Sequence, residues 1–212
     1  MALIRVKICG ITTKAEVDAV NRCRPDYMGF VFADSRRRVT YEEAANLKRQ
    51  LSSGIKAVGV FVNEPIDYIL KLVQERVVDL IQLHGEEDES YLRLLRQKTA
   101  CPIMRAVRVR NTKQILEASG LSCDMLLLDS FHKDTFGGSG ECFDHSLIPP
   151  LQKPFFLAGG LNVGNLGHCI ARCKPYGIDV SSGAETNGRK DEEKIRQIIE
   201  IVTRRTKISG ES

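Results

Sequence analysis

The chain has 212 residues, 42% hydrophobic and 27% charged, a make-up that excludes a disordered or fibrous protein and suits one domain, residues 1–212, with a sizeable buried core. The 31 lysines and arginines exceed the 27 acidic residues by enough for a net charge of only +4, which fits a small anionic ligand, and the densest basic run, Arg36-Arg37-Arg38, lacks the aromatic interleaving of a nucleic-acid-binding surface. Seven scattered cysteines without CxxC or zinc spacing, charged Arg5 and Lys7 directly after the first apolar residues, and no apolar run near the ~20 residues of a membrane helix predict a soluble, reduced, cytoplasmic protein with no metal site and no membrane partner.

Short β-rich runs recur along the chain: Ile4–Cys9, Tyr27–Phe32, Ala57–Val62, Leu80–Leu83, Ile103–Val107, Met125–Asp129, Phe155–Ala158 and Ile178–Ser181. Helical patterns lie between them. Thr13 with Glu16 and Thr40 with Glu43 match the capping box, in which a hydroxyl and a carboxylate satisfy free amides at a helix start. Pro65 stands where a first-turn proline would, ahead of the stripe Ile66, Ile69, Leu70 and Val73. Glu86, Glu87, Asp88 and Glu89 read as acids at a helix N-terminus rather than as metal ligands. Pro149-Pro150 leaves the sixth helix short or irregular, and Ile195, Ile198, Ile199 and Val202 mark the last one. Eight βα units predict an α/β protein closed into a (β/α)8 TIM barrel, and the absence of GxGxxG after an early strand argues against an open dinucleotide-binding sheet.

Barrel chemistry gathers at the C-terminal ends of the strands, which here are polar or glycine-rich: Cys9-Gly10, His84-Gly85, Asp129-Ser130, Gly159-Gly160 and Ser181-Ser182-Gly183. Phosphate often sits between the loops after strands seven and eight, because glycine lets successive amides turn toward one anion. Gly159 and Gly160, Ser181, Ser182 and Gly183, and Gly138, Ser139 and Gly140 in the loop after strand six are the candidate phosphate ligands, with serine hydroxyls as further donors.

Alternation within strands sorts the candidate acid and base. Ile4, Val6 and Ile8 share the face toward the helices, so Cys9 points inward, and Asp129 falls on the same face as Met125 and Leu127. A thiolate removes protons, and Lys7 or Arg37 nearby would enlarge the ionised fraction; desolvation of Asp129 against Leu126–Leu128, or a neighbouring thiolate, would let it donate one. A strand cysteine is also a common core residue and a strand-end aspartate a common helix cap, and spacing does not separate Cys9 from the other six cysteines.

Lys7-Ile8-Cys9-Gly10-Ile11-Thr12, Gly29-Phe30-Val31-Phe32, Ser35-Arg36-Arg37-Arg38-Val39, Val58-Gly59-Val60-Phe61-Val62, Gln82-Leu83-His84-Gly85, Gly137-Gly138-Ser139-Gly140 with Phe143-Asp144, Ala158-Gly159-Gly160-Leu161, and Asp179-Val180-Ser181-Ser182-Gly183 through Glu185 to Gly188-Arg189-Lys190-Asp191 resemble, in order, the signatures of phosphoribosylanthranilate isomerase, a family of tryptophan biosynthesis. The resemblance implies a cofactor-free Amadori rearrangement of a phosphorylated small molecule, with Asp129 protonating the ribose ring oxygen and Cys9 removing the C2′ proton. It also implies Arg37 beside the anthranilate carboxylate and His84 and Asp179 in the pocket, although by position His84 could equally be a hydrogen-bonded rim residue. The sequence leaves a monomer and a homodimer equally open. His145 stands where the family often has tryptophan, which puts local packing there in question. Another phosphosugar isomerase of amino-acid biosynthesis, or a non-catalytic phosphosugar-binding barrel, is the competing reading.

Overall fold

Eight parallel strands close on themselves in chain order in the computed structural model, which describes residues 3–130 and 143–208, with side chains through residue 204. They are β1 (Arg5–Cys9), β2 (Tyr27–Val31), β3 (Lys56–Phe61), β4 (Leu80–Leu83), β5 (Ile103–Val109), β6 (Met125–Ser130), β7 (Phe155–Leu157) and β8 (Gly177–Val180). β8 returns to β1 with Lys7 opposite Asp179. Helices α1 (Lys14–Cys23), α2 (Tyr41–Lys48), α3 (Ile66–Gln74), α4 (Glu89–Lys98) and α5 (Thr112–Ser119) follow the first five strands, α6 (Leu166–Cys173) follows β7, and α7 (Glu192–Ile208) comes last. This is the TIM barrel that the alternation of elements predicts. A small antiparallel hairpin, β9 (Glu185–Thr186) and β10 (Arg189–Lys190), is inserted after β8.

Local chemistry accounts for most element boundaries. Both capping boxes form, at Thr13 with Glu16 and at Thr40 with Glu43. Asp88 caps α4 by accepting from the Tyr91 amide, and Glu89 lies in its first turn. Pro65 occupies the cap of α3, one position before the first turn where the sequence had placed it, because its ψ of 135° is extended. Between β6 and β7 the described residues contain a single 3-10 turn, His145–Leu147, since Pro149 and Pro150 lack the amide donors of a longer helix. His145 keeps an aromatic contact there, with its ring edge-on to Phe143 at 5.1 Å, and burial lowers its pKa.

Strand alternation divides the apolar residues into two cores. Val6, Ile8, Met28, Phe30, Leu126 and Leu128 face the helices and join the large outer core. Tyr27, Val58, Leu80, Met104, Leu127 and Phe156 fill the inside of the barrel. Gly177 on β8 makes room for the Phe156 ring, which lies where a Cβ would be. The next inward position along several strands is polar: Lys7 on β1, Gln82 on β4 and Asp179 on β8. Cys9, His84 and Asp129 come one step further, toward the C-terminal mouth. An apolar floor below a charged middle layer therefore confines chemistry to one end of the barrel.

Candidate active site

Cys9 ends β1 and is 8% exposed. Its register partner on β2 is Gly29, and a Cβ at Gly29 would lie only 2.7 Å from the Cys9 Sγ. The glycine is thus what leaves space for the thiol. Below it, Lys7 Nζ donates to Asp179 Oδ2 at 2.9 Å, and the Lys7 side chain is wholly buried. Burial opposes the Lys7 charge, but Asp179 and Cys9 outweigh it and raise the Lys7 pKa. The positive charge of the ammonium also bears on the Cys9 sulfur and favours its thiolate. Asp179 Oδ1 is buried with no hydrogen-bond partner among the described residues.

The balance at Cys9 differs from the sequence expectation. Burial pushes the thiol up, Lys7 pulls it back, Asp179 pushes it up again and Lys190 lowers it, with a net rise. Of the cations the sequence offered, Lys7 lowers the thiol pKa, and Lys190 adds to its effect.

Arg37 is engaged by Glu185 instead. Its Nε donates to Glu185 Oε1 at 2.7 Å and its Nη2 to Oε2 at 3.0 Å. The same carboxylate accepts from Arg36 Nη2 at 2.7 Å and from Lys190 Nζ at 2.6 Å. Burial would raise the Glu185 pKa, but the hydrogen bonds and charges of Arg37 and Lys190 hold it down at about 2. Lys190 also donates to the Ser181 carbonyl at 3.1 Å, and the Ser181 hydroxyl donates to the Cys9 carbonyl at 3.0 Å. The lattice continues through Glu16, which accepts from the Lys190 amide at 3.1 Å and the Thr12 amide at 2.7 Å. The hairpin after β8 is thereby fastened to the β1 loop, and the Arg37 side chain lies over Gly10, against the space a Cβ there would occupy.

On the other side of the mouth, His84 Nε2 stands 3.3 Å from Asp129 Oδ2, and His84 Nδ1 stands 3.0 Å from Gln82 Nε2. With Gln82 donating to Nδ1, the ring proton sits on Nε2 and faces the carboxylate. Asp129 therefore meets a histidine. Of Leu126–Leu128, expected to desolvate it, only Leu127 shares its inward face, while Leu126 and Leu128 belong to the outer core.

The two glycine loops after β7 and β8 touch. Gly159 and Gly160 have φ of +81° and +64°, and the Gly160 carbonyl is pinned by donors from Asn162 at 3.1 Å and Asn165 at 2.9 Å. Gly183 packs on the Leu161 carbonyl so closely that a Cβ would overlap its oxygen. The Ser181 hydroxyl, a candidate phosphate donor, is instead committed to the Cys9 carbonyl. Gly138, Ser139 and Gly140 lie outside the described residues. Among the described residues no group of three or more His, Cys, Asp or Glu side chains is placed to hold a metal ion, and no helix is long and apolar enough to cross a membrane.

Sequence reasoning assigned no role to Gly29, Gln82, Glu185 or Lys190. Gln82 was legible, since alternation on β4 puts it on the His84 face. Lys190 stands within a quoted signature, but its burial against Glu185 was not legible, because nothing local distinguishes a buried lysine from the other basic residues.

Polar groups restricted to one mouth of a closed parallel barrel, beside two touching glycine loops, define a (β/α)8 enzyme for phosphorylated small molecules. Comparison with known proteins narrows that class. The model of the N-(5'-phosphoribosyl)anthranilate (PRA) isomerase family matches residues 6–201. The N-(5'-phosphoribosyl)anthranilate isomerase of Lachnoclostridium phytofermentans is 43% identical over 209 residues, covering 92% of this chain and 96% of that one. The crystal structure of the Thermotoga maritima enzyme superposes with a TM-score of 0.84 at 33% identity, covering 94% of this chain and 98% of that one. A phosphoribosylanthranilate isomerase in complex with reduced 1-(o-carboxyphenylamino)-1-deoxyribulose 5-phosphate superposes with a TM-score of 0.77 at 30% identity, covering 94% of this chain and 98% of that one. The chain belongs to the N-(5'-phosphoribosyl)anthranilate isomerase family, and it is an isomerase of tryptophan biosynthesis.

Proposed function

We propose that the chain converts N-(5-phosphoribosyl)anthranilate to the carboxyphenylamino-deoxyribulose phosphate with Asp129 as general acid and Cys9 as general base. The observation that carries this assignment is their placement: they stand at the C-terminal ends of β6, one residue before its last, and β1, separated around the barrel by β7 and β8, and each faces the mouth near a nitrogen-bearing side chain. Protonated Asp129 gives its proton to the ribose ring oxygen as the C1′–O bond breaks, and the anilino nitrogen lone pair forms the iminium. The Cys9 thiolate then takes the C2′ proton, and the C–H electron pair flows toward nitrogen to give the enolamine, which ketonises. Lys7 is the charge that holds the thiolate once it forms. Arg37 receives the anthranilate carboxylate, His84 and Asp179 line the pocket, and the phosphate sits on Gly159, Gly160, Ser182 and Gly183, with the Ser181 backbone and the Gly138-Ser139-Gly140 loop completing its cradle. The chain folds as one domain, works in the cytoplasm as a monomer or homodimer, and needs no cofactor.

The test follows the fluorescence of freshly made substrate with Cys9→Ser and Asp129→Asn alongside the parent. Each substitution is expected to lower kcat by roughly 100- to 10,000-fold, the usual worth of a positioned acid or base. Full activity in either variant removes that residue from the mechanism. Ligand binding without turnover in the parent would favour a non-catalytic phosphosugar-binding barrel.

A further inference from the structure

Arginine carries five N–H donors on a planar fork, and it has two edges able to take a carboxylate in bidentate fashion: Nε with Nη2, and Nη1 with Nη2. In Arg37 the first edge is filled by Glu185. The remaining three N–H groups have no acceptor among the described residues, and the side chain is 15% exposed. Its stem runs over Gly10, directly after Cys9, with the Ser181 hydroxyl also within 3.3 Å of the position a Gly10 Cβ would take.

Glu185 is itself immobilised. It is 6% exposed and clamped by Lys190, whose ammonium is wholly buried and also tied to the Ser181 carbonyl. We propose that Glu185 is a positioning residue which holds the Arg37 fork so that only its Nη1–Nη2 edge is offered to the substrate's carboxylate. The inference rests on the assignment of Arg37 to that carboxylate and adds the group that selects the edge. An unrestrained arginine would lose side-chain freedom on meeting its ligand, a cost of up to roughly tenfold in affinity. A fork fixed in advance avoids that loss and rejects ligands without a carboxylate, because its donors then stay unpaired.

The discriminating measurement is a ratio of inhibition constants for two inert product analogues: reduced 1-(o-carboxyphenylamino)-1-deoxyribulose 5-phosphate, and the same compound lacking the carboxylate. The full-length parent, Glu185→Asp, Glu185→Gln and Arg37→Met are compared. Arg37→Met should bring the ratio close to one. Both Glu185 variants should lower it by roughly tenfold, chiefly by weakening the carboxylate-bearing analogue, while the carboxylate-free analogue binds as in the parent. If both analogues weaken together in the Glu185 variants, or if the ratio stays parental, Glu185 is only structural and the inference is overturned. If Arg37→Met keeps the parental ratio, the assignment of Arg37 itself fails. A second measurement needs no substitution: the Arg37 Nε–H resonance of the unliganded parent should be single and protected from exchange. Ordering of Arg37 only after analogue is added would equally overturn the proposal.

Discussion

Gly183 is the point where the two glycine loops bear on each other, and a single methyl group there tests how the phosphate is held. A Cβ at this position would overlap the Leu161 carbonyl oxygen and lie 2.9 Å from both Leu161 C and Asn162 Cα. Non-bonded carbons settle at about 3.5–4.0 Å, and the atoms in the way are backbone, so relief requires the loops to part by roughly 1 Å. Overpacking of this kind costs about 1–3 kcal/mol, which for a chain of this size lowers Tm by roughly 2 to 10 °C. The functional cost is separate. Each hydrogen bond to a charged group contributes about 1.5–3 kcal/mol, so losing one amide to the phosphate weakens binding by roughly ten- to hundredfold. Gly183→Ala is therefore expected to raise KM and the inhibition constant of inorganic phosphate together by that factor. Steady-state fluorescence kinetics, phosphate inhibition and a thermal melt measure the two effects independently. A folded variant whose KM and phosphate inhibition stay within about twofold of the parent would refute the placement of phosphate between these loops.

Three further outcomes follow from the same geometry. Gly29→Ala should drive a methyl into the Cys9 Sγ and lower kcat by about tenfold or more with KM little changed, as a displaced base misses its proton; parental kcat would show that the thiol has room to move. Because burial pushes the Cys9 thiol up, kcat/KM should climb with pH beyond the ordinary cysteine range, and Lys7→Met should shift that limb higher still while destabilising the fold by about 3–5 kcal/mol through an unpaired Asp179. A pH–rate profile and urea melts read both effects, and an unmoved limb would detach Lys7 from Cys9. Glu185 is held at about 2 from an ordinary 4.5, so its contribution is fully present above pH 4.5 and is lost as pH falls through 2. Urea melts between pH 6 and 2.5 should show a loss of about 2.5 kcal/mol in the parent that Glu185→Gln lacks, and parallel profiles would contradict the clamp.

What the sequence determined by itself is what depends on near neighbours. A period of two told Cys9 and Asp129 inward from Ile8 and Leu128 outward, because the pleat alternates faces wherever a strand forms. Thr13 with Glu16 and Thr40 with Glu43 announced two helix starts, since a capping box closes within three residues. Eight such units implied closure, and the order of motifs pointed to the family. The tertiary structure decided which charges meet, because those partners lie far apart in the chain: Lys7 finds Asp179 172 positions away, and Arg37 finds Glu185 148 positions away. No local pattern encodes such pairs; they exist only once β8 returns to β1 and the hairpin folds over the mouth. Tertiary contacts also gave the Ser181 hydroxyl to the Cys9 carbonyl, set Gly29 of β2 beside the thiol, and brought Lys190 close enough to act on it. Burial then raised the Cys9 thiol despite both cations, a balance that depends on three-dimensional solvent exclusion and cannot be read from residue order.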